Sequence, residues 1–245
     1  EPSCGTDANG VEFRSSGWFT WIDDPTLFPR SGGDTGYGVP ILADIEFNED
    51  NDLILGFRDR SGDQTGWEIR HPDPNFRING NPVDISLEAK GDILRAEFNG
   101  ANSWTLESNG TSGGVTTSGS NNDEGPDGGE FFFVDGSNET YLNTNGSTTF
   151  DGHEQASHGA LALKSGTQEV IFTMMNPIPL SFANDPSVVR DGGIRTANTE
   201  DGSFIRAFRV FDGTNNDTNL FDKGAGLGDL ELVGEAAPLQ VGNYI

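Results

Sequence analysis

The residues whose types and spacing could do chemistry are mostly acidic, and they lie in three polar runs. These are Asn48, Asp50 and Asp52, then Asp123 and Asp127, then Asp212 and Asp217. Carboxylates and amides on loops are the hard oxygen donors that calcium takes, about six to eight at a time. None of the runs has EF-hand spacing, so solvated acidic turns are the competing reading. His153-Glu154 and His158 invite comparison with a zinc hydrolase. Such a site needs two histidines four apart on one helix face, and here they are five apart beside Gly152 and Gly159. The zinc reading fails on spacing, and the expectation is a loop whose histidines hold backbone carbonyls. No nucleophile elbow occurs, Cys4 stands alone, and the three histidines form no evident catalytic set with a serine or an aspartate. Asp59 and Asp63 flank Arg60. They mimic paired acidic catalysts, but with an arginine between them they read better as caps of turn amides. Trp18, Trp21, Trp67 and Trp104 are either packed between sheets or offered as stacking faces for a sugar.

The charge balance narrows the partners. Fourteen basic against 39 acidic side chains give a net charge of −25 over 245 residues. Such a field repels phosphate backbones and anionic lipid, so nucleic acid is not expected as a partner, and it concentrates cations. No apolar run is long enough to span a bilayer, so membrane insertion is not expected. A single cysteine allows no internal disulfide. Sequons at Asn109, Asn138, Asn145 and Asn216 fit an extracellular surface, and a chain opening on Glu1 reads as a processed or excised piece of something longer.

These residues must be positioned by strands. With 34 glycines and 12 prolines, the chain reads as many short strands joined by turns, and no window carries a long helical period. The fold class expected is all-β. The organising stretch is Val39–Gly66. Ile41, Ala43, Ile45 and Phe47 alternate with other residues, a polar tip follows, and Leu53–Phe57 return as the second strand of a hairpin. Ile45, Phe47, Leu53, Leu55 and Phe57 are expected to be its buried contacts in a four-stranded sheet. Further strands are expected at Trp67–Arg70, Val83–Leu87, Asp92–Phe98 and Trp104–Glu107. Residues 108–129 read as a long exposed loop, and Gly129–Val134, with three consecutive phenylalanines, as a buried strand.

An internal repeat supports blades. Ile45 matches Leu161, Phe47 matches Leu163, and Leu53 to Leu55 match Val170 to Phe172; a third copy of the first strand is Gly228–Leu232. Repeated hairpins suggest antiparallel hairpins arranged as partial β-propeller-like blades, with a β-sandwich as the alternative. The expected organisation is an N-terminal strand and aromatic segment (1–38), a propeller-like domain (39–237), and an exit strand (238–245).

Three runs carry a resemblance: LADIEFNEDNDLILGFRDRSGDQTG (42–66), GHEQASHGALAL (152–163) and GAGLGDLELVGEAAPLQVGNYI (224–245). Together they resemble the closing blades of a propeller-like module found in large secreted bacterial surface proteins, where it precedes B-type repeats of the serine-aspartate-repeat kind. The resemblance implies a cell-surface or extracellular location and further blades upstream, and it supplies no catalytic residues. The expectation is a non-enzymatic structural or adhesion module of a large surface protein or filament, with calcium as the cofactor. Its partners would be copies of itself or neighbouring modules, joined by strand addition through Val241, Gly242, Asn243, Tyr244 and Ile245. A carbohydrate-binding module using the tryptophans is the first alternative, and a propeller hydrolase or lyase is the second.

Overall fold

The computed structural model describes residues 39–60, 69–70, 74–75, 77–78, 81–82, 84–85, 91–120, 126–136, 140–142, 148–150, 156–178, 191–211 and 227–232. In chain order the strands begin with β1 (Pro40–Phe47) and β2 (Leu53–Asp59). Two short ladders follow, β3 (Ile69–Arg70) on β6 (Asp84–Ile85) and β4 (Arg77–Ile78) on β5 (Asn81–Pro82). Then come β7 (Asp92–Phe98), β8 (Trp104–Leu106), the pair β9 (Thr111–Ser112) and β10 (Val115–Thr116), and the pair β11 (Thr140–Leu142) and β12 (Thr148–Phe150). The series closes with β13 (Ser157–Lys164), β14 (Glu169–Met175), β15 (Gly192–Asn198) and β16 (Phe204–Phe211).

The architecture is all-β and antiparallel. Two four-stranded meanders dominate, in the orders β1-β2-β7-β8 and β13-β14-β15-β16. The repeat noted in the sequence is a repeat of register. Ile45 lies opposite Leu55 as Leu161 lies opposite Phe172, and Phe47 opposite Leu53 as Leu163 opposite Val170. Each first strand also bulges, between Leu42 and Asp44 in β1 and between Ser157 and Leu161 in β13.

The bulged strands meet. A Cβ on Gly56 would stand 2.1 Å from the Gly159 carbonyl oxygen, and one on Gly91 2.0 Å from the Ser157 oxygen. Only glycine lets β13 lie this close across the first sheet. The Leu161 amide donates to Asp44 Oδ2 at 2.8 Å, and at the hairpin tips Gly166 N donates to Glu49 Oε1 at 2.8 Å.

The core lies between the sheets. Ile54 and Ile93 of the first sheet pack with Leu161, Val170, Phe172, Met174 and Ala197 of the second, and with Phe131, Phe132 and Val134. This corrects the expected burial. Ile45 and Phe47 are 45% and 55% exposed and Leu53, Leu55 and Phe57 are half-buried, while Ile54 is fully buried. The hairpin is apolar on both faces, so alternation alone did not say which face meets the second sheet; the glycine contact at Gly56 turns Ile54 inward. The Phe131–Phe133 run is likewise no strand but a turn, whose amide hydrogen bonds are local: Val134 N and Asp135 N both reach the Phe132 carbonyl. Residues 108–120 are less open than expected. Ser112, Thr117, Gly110 and Gly119 are buried, and Thr117 Oγ1 donates to the Glu130 carbonyl at 3.0 Å. The third copy, Gly228–Leu232, joins no ladder and lies near β1, where Glu231 and Asp229 act on Glu46.

Arg195 of β15 holds the turn from the second sheet. Its guanidinium donates to the carbonyls of Val134 and Gly136 at 2.5 and 3.0 Å, and to those of Pro177 and Asn176 at 2.9 and 3.2 Å. A planar fork with five donors suits this carbonyl cage, and a lysine does not.

Candidate functional site

Of the three acidic runs, the first is described and is closed on itself. Asn48 Oδ1 accepts the amides of Asp50 and Asp52, an Asx-type turn. The buried Asp52 carboxylate accepts from Arg95 at 2.7 Å, Phe98 N at 2.8 Å and Asn48 Nδ2 at 3.2 Å. Burial alone would raise its pKa, but the Phe98 amide and the Arg95 and Asn48 side chains outweigh it and hold the carboxyl below the ordinary value. Asp127 is exposed and accepts the Ser108 hydroxyl at 2.8 Å. Asp123, Asp212 and Asp217 lie outside the described residues, as do Trp18, Trp21, Trp67, His153, Asp63 and Val241–Ile245.

The structure instead gathers carboxylates that the sequence does not group. Asp92 at the start of β7, and Glu130 and Asp135 at the two ends of the phenylalanine turn, are all buried, and each offers an oxygen within 4.8 Å of the others. Asp135 Oδ2 accepts the Ile93 amide at 3.0 Å, tying the turn to β7. Glu107, just past β8, is also buried. Its Oε2 accepts the Arg95 amide at 3.4 Å, and its Oε1 has no hydrogen-bond partner. Burial first, and the nearby charge of Asp92 second, push its pKa up to about 9. Arg95, whose amide Glu107 accepts, pairs through its guanidinium with Asp52 and lies over the Phe131 ring at 4.7 Å. No spacing motif links these four acids. The one local signal is that Glu130 and Asp135 bracket an unbroken apolar run.

Among the described residues, His158 belongs to no metal set. It lies in β13, buried, with neither ring nitrogen hydrogen-bonded. It therefore holds no carbonyl, which corrects the expected role. Burial first and the Arg58 charge second lower its pKa to about 4, so it is neutral at physiological pH. Asp59 behaves as the capping reading predicts, accepting the Val39 amide at 2.8 Å.

Trp104 stands on the outer face of the first sheet among aromatics. Its ring centroid is 5.4 Å from Phe98 and 6.2 Å from Phe47, and its indole NH donates to the Asn51 carbonyl at 2.9 Å. The row Phe47–Leu53–Ala96–Leu106 runs across this face. Its rungs match Leu163–Val170–Ala197–Phe204 in the second sheet. There the row packs in the core; here Phe47 and Leu106 are 55% and 44% exposed. On its other face the second sheet is exposed only toward its edge strand, since Thr173 and Thr196 are buried there. Thr173, Ile194 and Phe208 occupy the rungs that begin with Gly56 and Ile93, yet Ile93 is buried under the second sheet and Phe208 is 53% exposed.

The chain is similar to Colossin-A of Dictyostelium discoideum, 27% identical over 249 residues. That similarity covers 98% of this chain and 2% of the length of that protein. No protein-family description and no solved structure matches the chain.

Proposed function

We propose that this chain is a non-catalytic structural module of a large extracellular or cell-surface protein, in which four-stranded meanders stack face to face as propeller-like blades. One observation carries the reading. The row that forms the core in the second sheet is repeated in the first sheet, where its flanking residues Phe47 and Leu106 point away from the second sheet and are exposed. Within the chain, that face of one sheet packs on the opposite face of the other. The exposed row of the first sheet therefore offers one half of the same contact, and Phe208, exposed on the edge strand of the second sheet's other face, marks where the complementary half would meet it. A contact between unlike faces is heterologous, and it extends into an array or closes into a ring. Similarity along nearly the whole chain to a small part of a very long protein supports a modular role.

Sedimentation velocity over a concentration series tests this. The wild-type chain is expected to associate as concentration rises, and a Phe47→Lys, Leu106→Lys double variant to stay monomeric with its melting temperature kept. Loss of association on deleting residues 239–245, with the face variant unaffected, would move the joint to the exit strand. A wild-type monomer at every concentration would remove the reading.

A further inference from the structure

We propose that the segment Gly228–Leu232 of one copy adds as a fifth strand to the free edge of β16 in the next copy. This inference rests on the reading that modules stack, and it names the strand pairing that locks that joint. The segment is built as a first strand. Gly228 holds φ +82°, as Gly159 holds φ +78° at the matching place in β13, a backbone that glycine takes without strain. Asp229 Oδ1 accepts the Leu230 amide at 2.9 Å, as Asp44 Oδ1 accepts the Ile45 amide at 2.7 Å in β1. Yet β1 and β13 each pair with a return strand, and Gly228–Leu232 joins no ladder. Among the described residues its amides make that one hydrogen bond, and most of the segment is exposed. Its remaining backbone donors and acceptors are open to a partner strand.

Charge and length select the partner strand. The free edges of the two meanders are β1, β8, β13 and β16. β1 carries Asp44 and Glu46, which repel Asp229 and Glu231. β8 has three residues, and β13 is buried along most of its length. β16 has eight residues, carries Arg206 and Arg209 with no acid, and exposes Ile205, Phe208 and Val210. A long apolar edge of this kind invites strand addition. Two chains of net charge −25 repel as wholes, so a joint between them needs opposite charges at the contact. With Leu230 and Leu232 alongside Phe208 and Val210, the alternation of a strand puts Asp229 and Glu231 on the face of Arg209. Within one chain the two strands do not pair, because β16 has β15 as its ladder partner and the segment has none. The segment lies beside β1, where Asp229 and Glu231 act on Glu46. β1 belongs to the sheet whose exposed row meets β16 of the neighbour in the stack, so the same joint brings the two strands together.

The experiment is amide hydrogen exchange on the full chain, dilute and concentrated, beside sedimentation velocity on the same samples. It compares the wild type, Leu230→Pro, and the Phe47→Lys, Leu106→Lys variant. Proline removes the ladder donor at position 230. Because the segment joins no ladder within the chain, Leu230→Pro is expected to keep the wild-type melting temperature. In the wild type, exchange at residues 228–232 and at the edge amides of β16 is expected to slow at least about tenfold on association. Leu230→Pro is expected to lose that slowing and to associate at least about tenfold more weakly, and the face variant to stay monomeric without it. Wild-type association with no slowing at 228–232, or undiminished association of Leu230→Pro, would overturn the strand joint and leave the stacking reading in place. Slowing already complete in dilute solution would also overturn it, because the partner strand would then lie within the chain. A face variant that still associates with 228–232 slowed would keep the strand joint and remove the stacking. A wild type monomeric throughout would remove both.

Discussion

The backbones of Gly56 and Gly159 touch where the two sheets cross: a Cβ on Gly56 would lie 2.1 Å from the Gly159 carbonyl oxygen. Neither partner can yield easily, since the obstacle is main chain and Gly159 itself holds φ +78°, with its own Cβ position 2.9 Å from Ala43 Cβ. Gly56→Ala should therefore destabilise by about 3 kcal/mol or more, at the upper end for overpacked sites. Urea unfolding measures it, and a loss below about 1 kcal/mol would mean that the sheets slide apart freely.

Burial separates two isoleucines of one hairpin. Ile54 is fully buried and Ile45 is 45% exposed. Ile54→Ala should cost about 2–5 kcal/mol, and Ile45→Ala under about 1 kcal/mol in the isolated module. Equal costs in chemical denaturation would show that the first sheet presents its other face to the core.

The hairpin repeat was legible in the sequence, because matched apolar positions such as Ile45 with Leu161 fix the ladder register. The inward face was not. Ile45, Phe47 and Ile54 are all apolar, and the choice between faces is made by the close approach of β13, a non-local contact. Gly129–Val134 misled for a related reason: an unbroken apolar run is compatible with any buried backbone, and here it is a turn held by Arg195 and Asp135. The carboxylate site was invisible because its members are drawn from separate strands and one turn. Asp52, chosen for a calcium loop, proved to be the partner of Arg95, 43 residues away.

His158 sets a pH dependence. Its folded pKa is about 4 against an ordinary 6.5, so between these values the unfolded chain binds a proton that the folded one does not. Its contribution is complete above about pH 6.5 and is lost as the pH falls toward 4, amounting to about 3 kcal/mol. Comparing unfolding free energies at pH 7 and pH 4.5 for wild type and His158→Gln isolates it from the carboxylates. The wild type should lose more stability than the variant; identical losses would show that His158 protonates without penalty in the fold.

The most direct test of the stacking claim is a disulfide between unlike faces. In a Cys4→Ser background, Leu106→Cys places a thiol on the exposed face of the first sheet and Phe208→Cys one on the edge strand of the second sheet, both at exposed positions. The two proteins are mixed under mild oxidation and the products separated by non-reducing electrophoresis and mass spectrometry. Face-to-face stacking of unlike ends predicts that the mixed Leu106→Cys/Phe208→Cys dimer dominates over either self-paired dimer. Random pairing of the two thiols, or self-paired dimers alone, would contradict it.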